Sequence, residues 1–227
     1  MSLPAIDADV FRTKEGTPYL KTPGVVVISR PHVDLSGTHK FLKDFDLGFE
    51  KYLDDPDELP DCERLSKFGG QLCYMAFGEG RSKNEKAQGY FNHIKEEGHG
   101  SVIEHPNISM LLYGIDRSTT HELVRHRAGW AFSQVSQRYV DGKTLRFVER
   151  PEYQNHLGLH NMFEKRIDWT ALEYEAIAQN LLRIQSDGDM LLLTDEMKTG
   201  RRKKVNQVAR SMLPNETEAP ILVTGNL

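Results

Sequence analysis

The chain has few cysteines and no long apolar run, and each absence excludes a class of protein. Cys62 and Cys73 are the only cysteines among 227 residues. Two thiols cannot build a disulfide framework or a paired Cys-x-x-Cys zinc knuckle, and they are typical of a reducing compartment. No window approaches the roughly eighteen consecutive apolar residues of a transmembrane helix. The first residues, MSLPAIDADV, lack the basic and apolar stretches of a signal peptide. We therefore expect a cytoplasmic protein without a membrane partner.

The chain also lacks an excess of basic charge. Lys and Arg number 29 against 33 Asp and Glu, which gives a formal net charge of -4. A general binder of nucleic acid polymers needs a basic excess to neutralise phosphates, so this class is disfavoured. A local basic pocket for a small anion is still allowed. With 38% hydrophobic and 27% charged residues, the composition is that of a folded globular protein.

Hydrophobic periodicity and turn residues predict an α+β fold. Helices are expected over 82–97, 118–127, 159–186 and 202–213, and strands over 24–29, 107–115, 145–149 and 220–226. Residues 1–24 are expected to be irregular. Residues 37–60 are acidic, and their DDPDELPD segment is expected to be a solvated loop. Thr119 and Glu122 have the spacing of a capping box. Without a repeat or a clear linker, we expect one domain over 1–227, with a small, mostly antiparallel sheet packed by long helices.

The densest polar cluster begins at Arg125-His126-Arg127 and continues to Ser136 and Arg138. Beyond a helix end, an Arg-His-Arg triplet can fan around one polyanion. In an extended segment, Ser136 and Arg138 point the same way, and a hydroxyl beside a guanidinium suits a phosphate. An exposed, charged helix end explains the triplet equally well.

Other polar motifs are weaker. In HELVRH the histidines His121 and His126 are five residues apart, which does not match the four-residue spacing of H-E-x-x-H zinc enzymes. The stretch from His99 to His105 could hold a metal or form a capping turn, and no further spacing supports a metal. RRKK at 201–204 is either a solvated face or a nucleic-acid patch, and Lys203, Asn206 and Arg210 share one helical stripe. There is no G-x-S-x-G and no G-x-G-x-x-G motif.

Four segments together resemble one family, the flavin-dependent thymidylate synthases. They are RHR (125–127) followed by SQRY (136–139), HGSVIEH (99–105), GGQLCY (69–74) and VARSMLP (208–214). The resemblance runs from about residue 65 to the end, and residues 1–60 are a variable N-terminal part. Eight residues separate RHR from Ser136, where the family has seven, and we hypothesise a bulge at Gly129-Trp130.

The resemblance implies a reaction and a site. Such enzymes convert dUMP to dTMP with methylenetetrahydrofolate as carbon donor and reduced FAD, regenerated by NADPH, as hydride source. They use no cysteine nucleophile, and they are homotetramers whose active sites are shared between subunits. The implied FAD contacts are His99, Ser101, Arg125, His126, Arg127, Gln134 and Asn226. The implied dUMP contacts are Glu122, Arg125, Gln134, Ser136, Gln137, Arg138 and Arg210.

The end of the chain bears on the expected activity. In the family, a helix after the strand that resembles 220–226 carries an arginine that polarises the uracil, and that position lies beyond Leu227. We therefore expect no catalytic residue within this chain, and impaired turnover. The alternatives are a flavin- or nucleotide-binding protein without synthase activity, and a nucleic-acid-binding regulator that uses RHR and RRKK.

Overall fold

The computed structural model describes residues 3–52, 58–77, 87–140, 144–186 and 198–226. Four strands come first along these residues, and helices and strands are mixed in the remainder. The strands are β1 (Ala5–Ile6), β2 (Val10–Arg12), β3 (Pro18–Leu20), β4 (Gly24–Ser29), β5 (Asn107–Tyr113), β6 (Trp130–Gln134), β7 (Phe147–Val148) and β8 (Ile221–Asn226). The helices are α1 (His39–Lys43), α2 (Asp61–Cys73), α3 (Ala87–Glu96), α4 (Arg117–Leu123), α5 (Pro151–Gln154), α6 (Leu157–Ser186) and α7 (Lys198–Ala209). Short 3-10 turns cover Ser36–Thr38, Phe49–Tyr52, Gly100–Glu104 and Arg210–Met212.

Two sheets are present in the described residues. The larger has five strands in the order β1-β4-β5-β8-β6 and is antiparallel. The smaller has the order β2-β3-β7, in which β2 and β3 are antiparallel and β3 and β7 are parallel. The α+β class is therefore confirmed.

The chain separates into two compact units, each built from several segments. The first unit comprises Met1–Val26, Leu111–Arg127 and Phe132–Val223, and the second comprises Val27–Met110, Ala128–Ala131 and Thr224–Leu227. A single domain over 1–227 stays a prediction.

The core of the first unit lies between β3, β7 and α6. Tyr19, Phe147, Phe163 and Ile167 form one buried cluster, with Tyr153 packed against it. Phe163 and Ile167 are four residues apart and so lie on one face of α6. Its 30 residues make α6 about 45 Å long at 1.5 Å per residue. Pro151 opens α5, where its fixed φ and missing N–H carry no penalty.

The second unit has a smaller apolar core. Tyr90, Ile94 and Val102 are buried together, and Phe91 packs on them. This agrees with the apolar stripe predicted for the helix over 82–97, whose described part is Ala87–Glu96, while residues 82–86 lie outside the described ranges. Gly70 allows the Tyr90 hydroxyl to approach α2 closely, because a β carbon there would overlap the phenol oxygen.

Several sequence predictions are wrong in detail. Residues 1–24 are not irregular throughout, since they contain β1, β2 and β3. The acidic stretch 37–60 contains α1, which the buried Leu42 anchors, and 3-10 turns; of the predicted loop DDPDELPD, residues 54–57 lie outside the described ranges and Asp61 begins α2. The sequence spacing predicts that Val205, Val208 and Ala209 all face inward, but Val208 is 46% exposed, whereas Val205 and Ala209 are buried. Val208 lies about 60° from Val205, on the side away from Ala209, and so falls off the buried stripe.

Candidate active site

The N-terminal end of α4 is fixed by an aspartate. Asp116 is the N-cap, and its Oδ1 accepts a hydrogen bond from the Thr119 amide at 2.8 Å. The predicted capping box of Thr119 and Glu122 is therefore wrong, because the helix begins before Thr119 and Asp116 already satisfies the amide there. Asp116 is buried and also pairs with Arg150 at 2.8 Å, which holds α4 in place.

The Arg-His-Arg triplet follows the end of α4. The helix ends at Leu123, four residues before the predicted end, and a turn follows in which the amides of Arg125 and His126 donate to the carbonyls of Glu122 and Leu123. All three side chains of the triplet are exposed. A helix C-terminus favours cations, which accounts for three basic groups there. Their exposure agrees with both explanations of the triplet.

Within the triplet, only Arg125 has an ion-pair partner among the described residues. Its Nη1 lies 3.4 Å from Glu122 Oε2, and the two side chains are 64% and 69% exposed. An ion pair so exposed contributes little to stability. Arg127 makes no hydrogen bond or ion pair with the described residues, so its guanidinium is available to a ligand.

Gln134 joins β6 to α4. Its Nε2 donates to Thr120 Oγ1 at 2.6 Å, and its Oε1 accepts from Arg117 Nη1 at 3.1 Å. One amide hydrogen and one oxygen lone pair are left for a ligand. Sequence analysis missed Arg117 and Thr120, which are the residues that orient this side chain.

The segment after β6 is a turn and not an extended strand. The Ser136 carbonyl accepts from the amides of Tyr139 and Val140, and Ser136 Oγ accepts from the Arg138 amide at 3.4 Å. The predicted extended segment is wrong because the serine hydroxyl bonds the backbone two residues on and so stabilises the turn. The hydroxyl hydrogen of Ser136 can still be donated.

Arg138 carries a buried polar atom that no described residue satisfies. Its Nε has no hydrogen-bond partner among the described residues although it is shielded from water. An unsatisfied buried donor costs about 1–3 kcal/mol, and such a group calls for an explanation. An anionic ligand would supply the missing acceptor.

One face of α7 supports this turn. Lys203 Nζ lies 4.6 Å from the centre of the Tyr139 ring, and Asn206 Nδ2 donates to the Val140 carbonyl at 3.3 Å. The hydrogen bond from Lys203, together with its charge, lowers the pKa of Tyr139. Arg210 follows Asn206 by one helical turn and is half-buried, and its side chain makes no hydrogen bond or ion pair with the described residues.

A cavity lies beside the turn in the first unit. It has a volume of about 460 Å³ and is lined by Gln137, Tyr174, Leu213 and the ion pair of Arg146 with Glu218, among others. Of the predicted ligand contacts, only Gln137 lines it. A larger cavity of about 570 Å³, between α6, α7 and the β2–β3 turn, is lined by none of them.

His99 and Ser101 lie in the second unit. The His99 ring stacks on Tyr74 with centroids 6.1 Å apart and meets His93 edge-on at 6.4 Å. Ser101 is exposed in the 3-10 turn that follows. Tyr74 was named only within a motif, and its contact with His99 could not be foreseen from a spacing of 25 residues. Across the described ranges, no three His, Cys, Asp or Glu side chains are grouped to hold a metal.

Asn226 also lies in the second unit, at the end of β8. Its backbone amide donates a hydrogen bond to the Gly129 carbonyl at 3.3 Å. Gly129 has a φ of +73° and directly precedes β6, and the bulge hypothesised at Gly129-Trp130 stays a prediction.

In the described part of the chain, no helix is long and apolar enough to cross a membrane.

The fold and the sequence can now be compared with known proteins. A solved UMP/dUMP methylase, PolB from Streptomyces cacaoi bound with 5-Br dUMP, has a similar fold with a TM-score of 0.52 at 17% identity. The alignment covers 91% of this chain and 73% of the methylase. At this identity, the likeness shows the α+β fold alone.

The sequence comparisons show the family. The model of the family described as "Thymidylate synthase complementing protein" matches residues 56–227. A flavin-dependent thymidylate synthase of Corynebacterium diphtheriae is 37% identical over 166 residues, and one of Mycobacterium tuberculosis is 38% identical over 162. These alignments cover 73% and 71% of this chain. The chain belongs to this family, and the resemblance found in the motifs is confirmed. It spans 63% and 62% of the lengths of these two relatives.

Proposed function

We propose that this chain binds FAD and dUMP and takes part in the flavin-dependent conversion of dUMP to dTMP, as an FAD-dependent methyltransferase. The family match over residues 56–227 supports the proposal. The structural observation that carries it is a set of cationic groups without partners among the described residues. They are the guanidiniums of Arg127 and Arg210 and the buried Nε of Arg138, and all three belong to matched segments.

Each of the two units contains residue types that suit a dinucleotide flavin. Arg125 and Arg127 offer cationic groups to its diphosphate and His126 offers an imidazole, and charge-assisted hydrogen bonds are the strong class of such contacts. His99, stacked on Tyr74, offers an aromatic edge, Ser101 an exposed hydroxyl, and Asn226 a carboxamide. Bound FAD in its reduced form supplies the hydride, with NADPH as reductant and methylenetetrahydrofolate as carbon donor.

The residues around the 136–140 turn suit the nucleotide. Arg138 and Arg210 provide guanidiniums for a phosphate that is nearly a dianion, and Ser136 provides a hydroxyl. Each charge-assisted hydrogen bond contributes about 1.5–3 kcal/mol. Gln137 lines a cavity of about 460 Å³, a size that is ordinary for small-molecule sites. Glu122 and Gln134 complete the proposed contacts by their carboxylate and amide groups.

A cysteine nucleophile is not part of the proposal. Burial raises the pKa of the Cys62 thiol, and the charge of Asp61 acts in the same direction. A raised thiol pKa means less thiolate, and the thiolate is the nucleophilic form. The two thiols are both free, which suits the reducing cytoplasm in which we place the protein.

We also propose that the chain assembles into a homotetramer with shared sites. One face of α6 carries Met162, Trp169 and Leu172, which are 61%, 61% and 68% exposed. Their spacing of seven and three residues puts them on one stripe. Exposed apolar stripes of this kind are typical of association surfaces.

The function is tested by an anaerobic assay for dTMP from which one component is omitted at a time. We expect dTMP only when dUMP, methylenetetrahydrofolate, FAD and NADPH are all present. Binding of FAD and dUMP without any dTMP would favour the second candidate function, a flavin- and nucleotide-binding protein without synthase activity. Absence of both binding and product would reject the proposal.

A further inference from the structure

We propose that Gly129 is a positioning residue that sets the orientation of the Asn226 carboxamide. This inference rests on the proposed function, because Asn226 is there a contact to FAD. Gly129 itself offers no side chain to a ligand. It acts through Asn226 in two ways. The absence of a side chain leaves room for the carboxamide, and the Gly129 carbonyl accepts a hydrogen bond from the Asn226 backbone amide.

The two residues are in close contact inside the second unit. A β carbon on Gly129 would lie 2.4 Å from Asn226 Oδ1, 2.8 Å from Cγ and 2.8 Å from Nδ2. The three nearest atoms all belong to the carboxamide, so this group lies directly against the Gly129 α carbon. The Asn226 amide also donates to the Gly129 carbonyl at 3.3 Å, so both the backbone and the side chain of Asn226 meet Gly129.

The backbone at Gly129 independently favours glycine. Its φ of +73° is in the left-handed region, which side chains rarely adopt. Any other residue at 129 therefore has to overcome both backbone strain and overlap with the carboxamide. The neighbouring residues Gly225 and Trp130 are equally close to each other. A β carbon on Gly225 would lie 2.9 Å from two ring carbons of Trp130.

The carboxamide is placed to bind a ligand. It is half-buried and makes no hydrogen bond with the described residues, so packing against Gly129 is what orients it. A carboxamide presents a donor and an acceptor side by side, which matches the N–H and C=O edge of a cyclic imide. The pyrimidine edge of an oxidised flavin has this pattern. Rotation of the carboxamide would lose both bonds at once.

The test uses Gly129→Ala with a matched control, Gly16→Ala. Gly16 also has a positive φ, of +94°, but a β carbon there meets nothing within 4 Å. The control therefore carries the backbone strain without the overlap. Asn226→Ala and the double variant, which combines Gly129→Ala with Asn226→Ala, complete a double-mutant cycle. The measurements are the 15N chemical shift of the Asn226 side-chain amide in the ligand-free protein, and the FAD dissociation constant.

We expect Gly129→Ala to move the Asn226 side-chain resonance and Gly16→Ala to leave it unchanged. Gly129→Ala and Asn226→Ala should each weaken FAD binding about 25-fold, the value of two lost hydrogen bonds at about fivefold each. In the Asn226→Ala background, Gly129→Ala should add less than about twofold. If Gly129→Ala fails to fold, the double variant should recover the fold, because the overlap is then gone.

Three results would overturn the inference. They are an unchanged Asn226 resonance in Gly129→Ala, additive losses of FAD affinity in the double variant, and failure of the double variant to recover the fold. The resonance is measured without ligand, so it decides the role of Gly129 even if the chain binds no FAD. Absence of FAD binding by the unmodified chain would count against the proposed function instead.

Discussion

Replacement of Arg138 by methionine should affect stability and ligand binding in opposite directions. In the free protein, the buried Nε of Arg138 has no acceptor among the described residues. Removal of an unsatisfied buried donor recovers about 1–3 kcal/mol. The guanidinium lies 5.9 Å from the Tyr139 ring centre, and losing this exposed cation–π contact costs about 0.5–1 kcal/mol. We therefore expect Arg138→Met to raise the free energy of unfolding by about 0–2 kcal/mol.

The same substitution should weaken dUMP binding. If Arg138 donates one charge-assisted hydrogen bond to the phosphate, its loss costs about 1.5–3 kcal/mol. At about 1.4 kcal/mol per factor of ten, the dissociation constant should rise about 10- to 150-fold. The two measurements are urea unfolding of the free protein and calorimetric titration with dUMP in the presence of FAD.

A matched control separates this role from a general effect of losing an arginine. Arg183 is exposed on α6 and donates to Asn180 Oδ1 at 3.3 Å. Arg183→Met should change the free energy of unfolding by less than about 0.5 kcal/mol and leave dUMP binding unchanged. Arg138 would instead have a structural role if Arg138→Met lowered the free energy of unfolding by more than about 1 kcal/mol while dUMP bound as before. That result would refute the proposed contact between Arg138 and the phosphate.

Four further predictions concern stability, titration and assembly. Glu218→Gln should lower the free energy of unfolding by about 2–3 kcal/mol in urea, because it leaves the partly buried Arg146 without its ion pair; a loss below about 0.5 kcal/mol would contradict this. Burial raises the pKa of Tyr90 to about 12. Its contribution to the free energy of unfolding is therefore fully present below about pH 10 and is lost as the pH rises through about 12. Tyr90→Phe should remove that decline in alkaline unfolding, and an unchanged decline would show that Tyr90 is not its source. Lys203→Met should raise the pKa of Tyr139 in an ultraviolet titration of the phenolates, because the hydrogen bond and charge that lower it are lost; no shift would exclude Lys203 as the cause. Trp169→Glu should reduce the mass of the assembly measured by light scattering, because it places a charge among the exposed apolar residues of α6. An unchanged mass would exclude this face of α6 as an interface.

Elements with regular apolar spacing could be predicted from the sequence. The long helix expected over 159–186 is α6 (Leu157–Ser186), and the strand expected over 220–226 is β8 (Ile221–Asn226). In both, buried side chains recur at the period of the element, so the pattern and the packing agree.

The helix α2 was not among the predicted elements. Its buried residues are Ser66, Lys67, Gly70 and Gln71, which are polar or small, so its buried face is not an apolar stripe. The strands β1 to β3 are two or three residues long and lie among prolines and glycines. Such short strands are held by pairing with distant segments, which local patterns do not record.

The candidate site was predictable in its residue types and less so in its geometry. The Arg-His-Arg triplet follows the end of α4 at Leu123, whereas the sequence pattern predicted a helix that includes the triplet. The turn at 136–140 depends on Lys203 and Asn206, which are more than sixty residues away in the chain. No spacing rule links these segments, although the stripe of Lys203, Asn206 and Arg210 did show that one face of α7 is polar.

The most direct test of the account is a titration of the protein with FAD by visible absorbance, followed by addition of dUMP. We expect saturable FAD binding and a change in the flavin spectrum when dUMP is added, because we propose that the two ligands bind next to each other. A protein that binds neither ligand, or one whose flavin spectrum is indifferent to saturating dUMP, would contradict the central claim.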